Sequence, residues 1–173
     1  DKAELIVYYA GHGYPDEITK IPHLIPVDVP ASDMYYAISL NDLYKKLSST
    51  NAKSIAIFLD ACFTGGGRNS GLLASRGVKV KAKEGVLAGN IIVFSASSEE
   101  QSALPFHDQG HGMFTYYLLK KLQESNGKTS MGELSDYIKE NVSIQSLKIN
   151  EKEQDPAIQT SQNIINDWRK WKF

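Results

Sequence analysis

Residues 55–67, IAIFLDACFTGGG, decide how the rest of the chain is interpreted. The stretch opens with branched and aromatic apolar residues and ends in glycines, which is typical of a buried strand in a parallel sheet. Asp60 and Cys62 stand at the carboxyl end of this strand, where sites form in open α/β sheets. Because a lone cysteine is most often a small buried hydrophobe, a function for Cys62 needs support from elsewhere in the chain.

That support comes from a second apolar segment, LIVYYAGHG at residues 5–13. It places His12 between two glycines at the end of another predicted strand, about 50 residues before Cys62. If the two strands are parallel neighbours, both side chains emerge at the same edge of the sheet, as a thiol nucleophile and its base require. Glycine beside the histidine also lets a substrate approach the backbone closely.

The segments YYAGHGY, IPVDVP and FLDACFTGG resemble those of the caspase-like cysteine peptidases, and within them the paracaspase and metacaspase branch. The resemblance covers most of the chain and implies a caspase-like three-layer α/β/α fold with a mostly parallel sheet. It also implies a His12–Cys62 dyad, with the backbone N–H groups of Gly13 and Cys62 as the oxyanion hole. Since the chain opens so close to the histidine strand, we expect its first βαβ unit to be missing, in a fragment or a processed chain.

Two departures from the family bear on specificity and cofactors. Caspases carry Gln-Ala-Cys-Arg-Gly where this chain has Asp-Ala-Cys-Phe-Thr-Gly. The acidic residues after the histidine, Asp16, Glu17, Asp28 and Asp33, are too scattered for the calcium site of metacaspases. We therefore expect neither a cofactor nor a metal.

Substrate choice is predicted to depend on Asp60, two residues before the cysteine. An ionised carboxylate there should attract Arg, and Lys less strongly, at the cleavage site. The alternative is that Asp60 bonds backbone groups and shapes the turn. Ser97 and Glu99 follow a third predicted strand, and they resemble the segment that lines the substrate groove in this family. Either Glu99 or Glu100 could add a second negative charge.

A glycine-rich stretch, residues 64–89, separates the second and third predicted strands. Its fit to a phosphate-binding loop is weak, because neither nucleotide-binding glycine motif is complete. Two interpretations stay open: a solvated surface loop, or the mobile linker between two catalytic subdomains, where the enzyme could cut itself. Five basic residues in it would suit such cleavage: Arg68, Arg76, Lys79, Lys81 and Lys83.

Helical patterns complete the organisation. Ser39 is a plausible N-cap of a helix that links the first two strands, and Ser130 caps a later one. A second Gly-His-Gly, around His111, follows a polar loop and opens an amphipathic helix, so His111 is interpreted as a helix-entry residue. His23, among prolines, is interpreted as structural.

Composition bounds the remaining possibilities. The 173 residues predict one peptidase domain, 1–173, and a formal net charge of −1 gives no reason to expect nucleic-acid binding. No apolar run is long enough for a membrane span and no signal peptide opens the chain, so a cytoplasmic location is expected.

The expected partners are a peptide or protein substrate, and the missing N-terminal part of the same fold or a processed partner chain. Two rivals stay open: a catalytically silent interaction module and a flavodoxin-like nucleotide-binding domain.

Overall fold

The computed structural model describes residues 2–29, 34–63, 85–98 and 101–173. In chain order, the strands and α-helices of these ranges are β1 (Glu4–Ala10), β2 (His12–Pro15), β3 (Pro22–Ile25), β4 (Ile38–Ser39), α1 (Leu40–Ser48), β5 (Ser54–Asp60), β6 (Ile91–Ser95), β7 (Pro105–Phe106), β8 (His111–Gly112), α2 (Met113–Glu124), α3 (Met131–Asn150) and β9 (Ala157–Thr160). Most of the predicted linker, residues 64–84, lies outside the described ranges, as do Glu99 and Glu100.

The main sheet has the strand order β1-β5-β6-β9. The first three strands run parallel and β9 is antiparallel to β6, so the sheet is mixed and mostly parallel. Ala10 at the end of β1 lies opposite Asp60 at the end of β5. The predicted parallel pairing of the histidine and cysteine strands is therefore confirmed, and both strands end at one edge of the sheet.

Strand β5 is buried on both faces, as its unbroken apolar sequence predicts. Ile55, Ile57 and Leu59 belong to a buried cluster that includes side chains of α1. Phe58 and Cys62 belong to a second buried cluster, which includes side chains of α2 and α3. Helices thus cover the sheet on two sides, which gives the three-layer α/β/α fold.

The predicted helix starts are confirmed by their caps. The Ser39 hydroxyl accepts a hydrogen bond from the backbone N–H of Asp42 at 3.4 Å, at the start of α1. Helix α3 starts with a complete capping box, in which Ser130 and Glu133 each bond the backbone of the other. These bonds from Ser130 also lower the pKa of the Glu133 carboxyl. Helix α2 begins directly after Gly112, as expected of the second Gly-His-Gly.

The proline-containing stretch after His12 forms two short strands, β2 and β3, joined by a turn. Strands β2, β3 and β4 form a small antiparallel sheet beside the main one. His23 lies in β3, with its Nδ1 atom 2.8 Å from the carbonyl oxygen of Ile21. Among the described helices, none is both long and apolar enough to cross a membrane.

Candidate active site

The ends of β1 and β5 meet through their backbones. The N–H of Gly11 donates to the carbonyl oxygen of Asp60 at 3.2 Å. A β-carbon at position 13 would lie only 2.5 Å from the carbonyl oxygen of Cys62 and 2.5 Å from ring carbons of Phe63. Position 13 therefore requires glycine because the segment after His12 lies directly against the segment of Cys62.

The histidine end of the site is open to solvent. His12 is exposed, whereas Tyr9, three residues earlier, is half-buried. The Tyr9 hydroxyl lies within donating distance of two carbonyl oxygens, 2.7 Å from that of His12 and 2.8 Å from that of Ile25. Burial raises the pKa of Tyr9, so the phenol stays protonated and able to donate. Sequence analysis missed this contact, because an aromatic residue in a strand signals packing rather than a hydrogen bond.

The cysteine end of the site is closed. Cys62 is only 4% exposed, and its Sγ accepts a hydrogen bond from the backbone N–H of Ala103 at 2.6 Å. Ala103, Met113 and Phe114 belong to the same buried cluster as Cys62. The predicted nucleophile thus points into the protein interior. Nothing in the sequence marks Ala103 as its neighbour, because the two residues are far apart in the chain.

Asp60 is fully buried beneath the strand ends. Its Oδ2 accepts hydrogen bonds from the backbone N–H of Thr115 at 3.2 Å and from the Thr115 hydroxyl at 2.5 Å. The first-turn N–H groups of a helix lack partners within the helix, so this carboxylate caps the start of α2. The Thr115 hydroxyl is also 2.8 Å from that of Tyr8 in β1. Asp60 therefore bonds a backbone group, as the alternative to substrate binding expected, but that group belongs to α2 rather than to the turn after β5. Its assignment to substrate binding stays a prediction.

A cavity of about 430 Å³ lies next to this network. Its lining comprises Tyr8, Ala10, Pro105, His107, Gly110, His111, Gly112 and Thr115. The cavity thus includes both hydroxyl-bearing partners of the Asp60 network in its wall. His111, interpreted from the sequence as a helix-entry residue, also lines the cavity. A pattern along the chain cannot reveal this, because the lining comes from β1, the β7–β8 hairpin and α2.

The other predicted substrate-binding residues lie after β6. The hydroxyl of Ser97 donates to the carbonyl oxygen of Gln101 at 3.2 Å, and the side chain is partly buried. Glu99 lies outside the described residues, and the assignments of Ser97 and Glu99 to the substrate groove stay predictions. In the parts of the chain that the structure describes, no cluster of three or more His, Cys, Asp or Glu side chains could hold a metal ion.

Comparisons with known proteins agree with this architecture. A family model described as a caspase domain matches residues 1–164. Among solved structures, the chain is similar to the crystal structure of caspase-1 from Spodoptera frugiperda, with a TM-score of 0.60 and 15% sequence identity. The alignment covers 91% of this chain and 59% of that one, so the similarity shows a shared fold over part of the larger structure. No curated protein matches this chain.

Proposed function

Because the chain belongs to the caspase family, a family of cysteine peptidases, we propose that it hydrolyses peptide bonds after basic residues, with Arg preferred over Lys. One observation carries the proposal: the segments of His12 and Cys62 lie against each other at the ends of adjacent parallel strands. A thiol nucleophile and a base on neighbouring strand ends are the minimum that acyl transfer requires.

In the proposed mechanism, Cys62 Sγ attacks the substrate carbonyl carbon and its proton passes to His12. The N–H groups of Gly13 and Cys62 stabilise the tetrahedral oxyanion. His12 then protonates the leaving amine as the C–N bond breaks, and water hydrolyses the thioester and restores the thiol. Since the sulfur is buried in the resting structure, it must turn away from Ala103 before it attacks.

The cavity beside Asp60 is the proposed pocket for the basic side chain. Thr115 and Tyr8 line it, and both belong to the hydrogen-bond network of the carboxylate. Asp60 itself is fully buried, so its negative charge acts on the pocket through the wall rather than by direct contact. An opposite charge in the substrate is favoured there and a like charge is disfavoured.

A panel of fluorogenic peptides tests this function. The peptides are identical except for Arg, Lys, Asp or Leu before the scissile bond, and each is assayed with the wild-type chain and with Cys62→Ala. We expect cleavage in the order Arg, Lys, then Leu, with none after Asp and none by the variant. A preference for Asp would contradict the assignment of the cavity, and turnover by Cys62→Ala would contradict the nucleophile.

Self-processing is part of the proposal. Its support lies in the sequence alone: five basic residues stand in the glycine-rich stretch 64–89, and they match the proposed specificity. Mass spectrometry of wild type beside Cys62→Ala should show fragments that end at these residues in the wild type only. Identical fragments in both samples would point to an outside protease.

The position of β1 at the edge of the described main sheet supports the proposal of a strand-pairing partner. β1 is the edge strand of the main sheet as described, and its residues Ile6 and Tyr8 are 57% and 49% exposed. Exposed apolar residues on an edge strand invite pairing with another strand. We propose that either an N-terminal part of the same fold or a processed partner chain pairs with β1. Ile6→Lys should weaken that association in size-exclusion chromatography, whereas Lys2→Glu should not.

One observation favours the rival function, a silent interaction module: the sulfur of Cys62 is almost fully buried. A thiol-reactive peptide probe separates the two possibilities. An active peptidase labels at Cys62 and loses that labelling in His12→Ala, whereas a silent module shows no dependence on His12.

A further inference from the structure

Gln154 is a fully buried polar side chain with both ends of its amide in use. Its Oε1 accepts from the backbone N–H of Leu104 at 2.8 Å, and its Nε2 donates to the carbonyl oxygen of Ala96 at 2.8 Å. Its own backbone N–H donates to the Ser146 hydroxyl at 3.1 Å. The amide therefore joins the end of β6 to the segment 101–104 that follows it.

A second pair holds the other end of the same segment. The Gln101 Nε2 donates to Asp155 Oδ2 at 2.7 Å, and the Asp155 backbone N–H donates to Gln101 Oε1 at 2.6 Å. The Ser143 hydroxyl donates to Asp155 Oδ1 at 2.6 Å. The bond from Gln101 is the main reason that the pKa of the Asp155 carboxyl lies below its usual value. We call Gln101, Gln154 and Asp155 the clasp.

Between these two attachments lies Ala103, whose N–H donates to Cys62 Sγ at 2.6 Å and whose carbonyl oxygen lies farther from that sulfur, at 3.9 Å. The next residue, Leu104, accepts a hydrogen bond through its carbonyl from the N–H of Met113 at 3.0 Å. The segment is therefore tied on both sides of the Ala103 N–H, the backbone donor that bonds the sulfur. A free segment of this length would have many backbone states, so the clasp limits where this donor can point.

We propose that Gln154 is a positioning residue for the resting nucleophile: it fixes the segment 101–104 so that the Ala103 N–H holds the Cys62 sulfur in its buried orientation, before it turns to attack, and favours its thiolate there. The inference rests on the proposed function of Cys62. A charged acceptor gains more from a hydrogen bond than a neutral one, so the N–H stabilises thiolate over thiol. Without the clasp, the donor is free to move away and the thiolate loses this stabilisation.

Alkylation of the folded chain tests the proposal, because Cys62 is the only cysteine. The rate of reaction with iodoacetamide is measured against pH for wild type and for Gln154→Met, which keeps the side-chain size and removes both hydrogen bonds. The high-pH plateau reports access to the sulfur, and the midpoint reports the balance of thiol and thiolate. We expect the midpoint of Gln154→Met to lie about one pH unit higher, which leaves about tenfold less thiolate at neutral pH.

The matched control is Thr129→Val, which removes a buried hydroxyl whose bonds go to Ser130 and Glu133 at the start of α3. This control should lower stability without moving the midpoint. If Gln154→Met does not fold, Gln101→Ala removes the more exposed part of the clasp and should shift the midpoint in the same direction by less.

An unchanged midpoint in whichever of these clasp variants folds would overturn the proposal, even if the plateau rises. The readout needs no substrate, so it separates the positioning by Gln154 from the proposed peptidase function. If the midpoint shifts but the chain shows no peptidase activity, the positioning of Cys62 by Gln154 is supported and the proposed peptidase function is wrong.

Discussion

The two strand ends that form the candidate site are held by different means. At the end of β5, Asp60 and Cys62 are buried and bonded to the start of α2 and to Ala103. At the end of β1, His12 is exposed, and its segment is held by the Tyr9 hydroxyl and by close backbone contact at Gly13. The nucleophile end therefore depends on the core, whereas the base end depends on a few backbone contacts.

This difference predicts which substitutions should change both stability and activity and which should change activity alone. A change at the β5 end should affect both, because the side chains there are part of the buried cluster. A change at the β1 end should affect activity with little effect on the free energy of unfolding.

The largest effect should come from the dyad. Cys62→Ala should reduce peptide cleavage to background, and His12→Ala should lower kcat/KM by about 10²–10⁴-fold, because the proton transfers lose their acceptor and donor. Cys62→Ala should also lower the free energy of unfolding by about 1 kcal/mol, since it leaves a small void in a packed core. His12→Ala should change it by less than about 0.5 kcal/mol. Fluorogenic assays and urea unfolding measure the two quantities.

The matched control for the base is His23→Asn, which removes a histidine of the adjacent strand β3. Its ring contacts the carbonyl oxygen of Ile21, and an amide side chain can replace that contact. This variant should keep most of the activity. A folded His23→Asn without activity, or a fully active His12→Ala, would show that the base has been assigned to the wrong histidine.

The next effect concerns the contact between the two strand ends. Gly13→Ala places a methyl group where the Cys62 carbonyl oxygen and the Phe63 ring lie 2.5 Å away, so the segments must separate. A displacement of this kind should lower kcat/KM by about 10²-fold.

The control for this change is Gly127→Ala, at a glycine with φ of +72° and open space around it. Alanine at that backbone conformation costs about 1–2 kcal/mol of stability, but the site should stay active. If both variants lose the same activity, the effect of Gly13→Ala comes from general destabilisation and not from the contact with Cys62.

The sequence predicted the main sheet and the helix starts because each has a local signature. The apolar run of β5 and the caps at Ser39 and Ser130 all act on their own neighbourhood in the chain. The pairing of β1 with β5 also followed, since two apolar strands whose connection contains a helix are expected to be parallel.

The contacts around Cys62 and Asp60 could not be predicted in the same way. Ala103 and Gln154 form one chain of contacts that reaches Cys62, and Thr115 bonds Asp60. These contacts join residues that are 41 to 55 positions apart. They depend on how the segments after β6 pack against the sheet, and no spacing or residue type along the chain encodes that packing.

A smaller effect should follow a change of charge at Asp60. Asp60→Asn keeps an acceptor for the Thr115 N–H and removes the negative charge behind the cavity wall. The preference for Arg over Leu in kcat/KM should fall about tenfold, the equivalent of about 1.4 kcal/mol, because the charge acts without direct contact.

Asp136→Asn, which breaks an exposed ion pair with Arg169, is the control and should leave the preference unchanged. Asp60→Ala should in addition lower the free energy of unfolding by about 1–3 kcal/mol, because the Thr115 N–H loses its partner. An unchanged Arg preference in Asp60→Asn would leave Asp60 with its capping function alone.

The smallest effect should come from Tyr9, whose hydroxyl holds the His12 segment through two carbonyl oxygens. Tyr9→Phe keeps the ring and removes the donor. We expect kcat/KM to fall about fivefold and the free energy of unfolding to fall by about 1 kcal/mol, the contribution of one hydrogen bond. Tyr14→Phe is the control, because the Tyr14 hydroxyl donates to Glu17 at an exposed position and its loss should change stability by less than about 0.5 kcal/mol.

The pH dependence of this effect has a definite sign. Burial raises the pKa of Tyr9 in the folded state. The unfolded phenol titrates near about pH 10, so above that pH the unfolded chain has lost a proton that the folded chain keeps. The stability that Tyr9 contributes is therefore complete below about pH 10 and is lost as pH rises through the folded pKa.

Urea unfolding of wild type and Tyr9→Phe should show a difference in the free energy of unfolding that is constant between pH 7 and 9 and shrinks at higher pH. A difference that grows above pH 10 would mean that the ionised phenol stabilises the fold, and the hydroxyl could then not be the donor that holds the base end of the site.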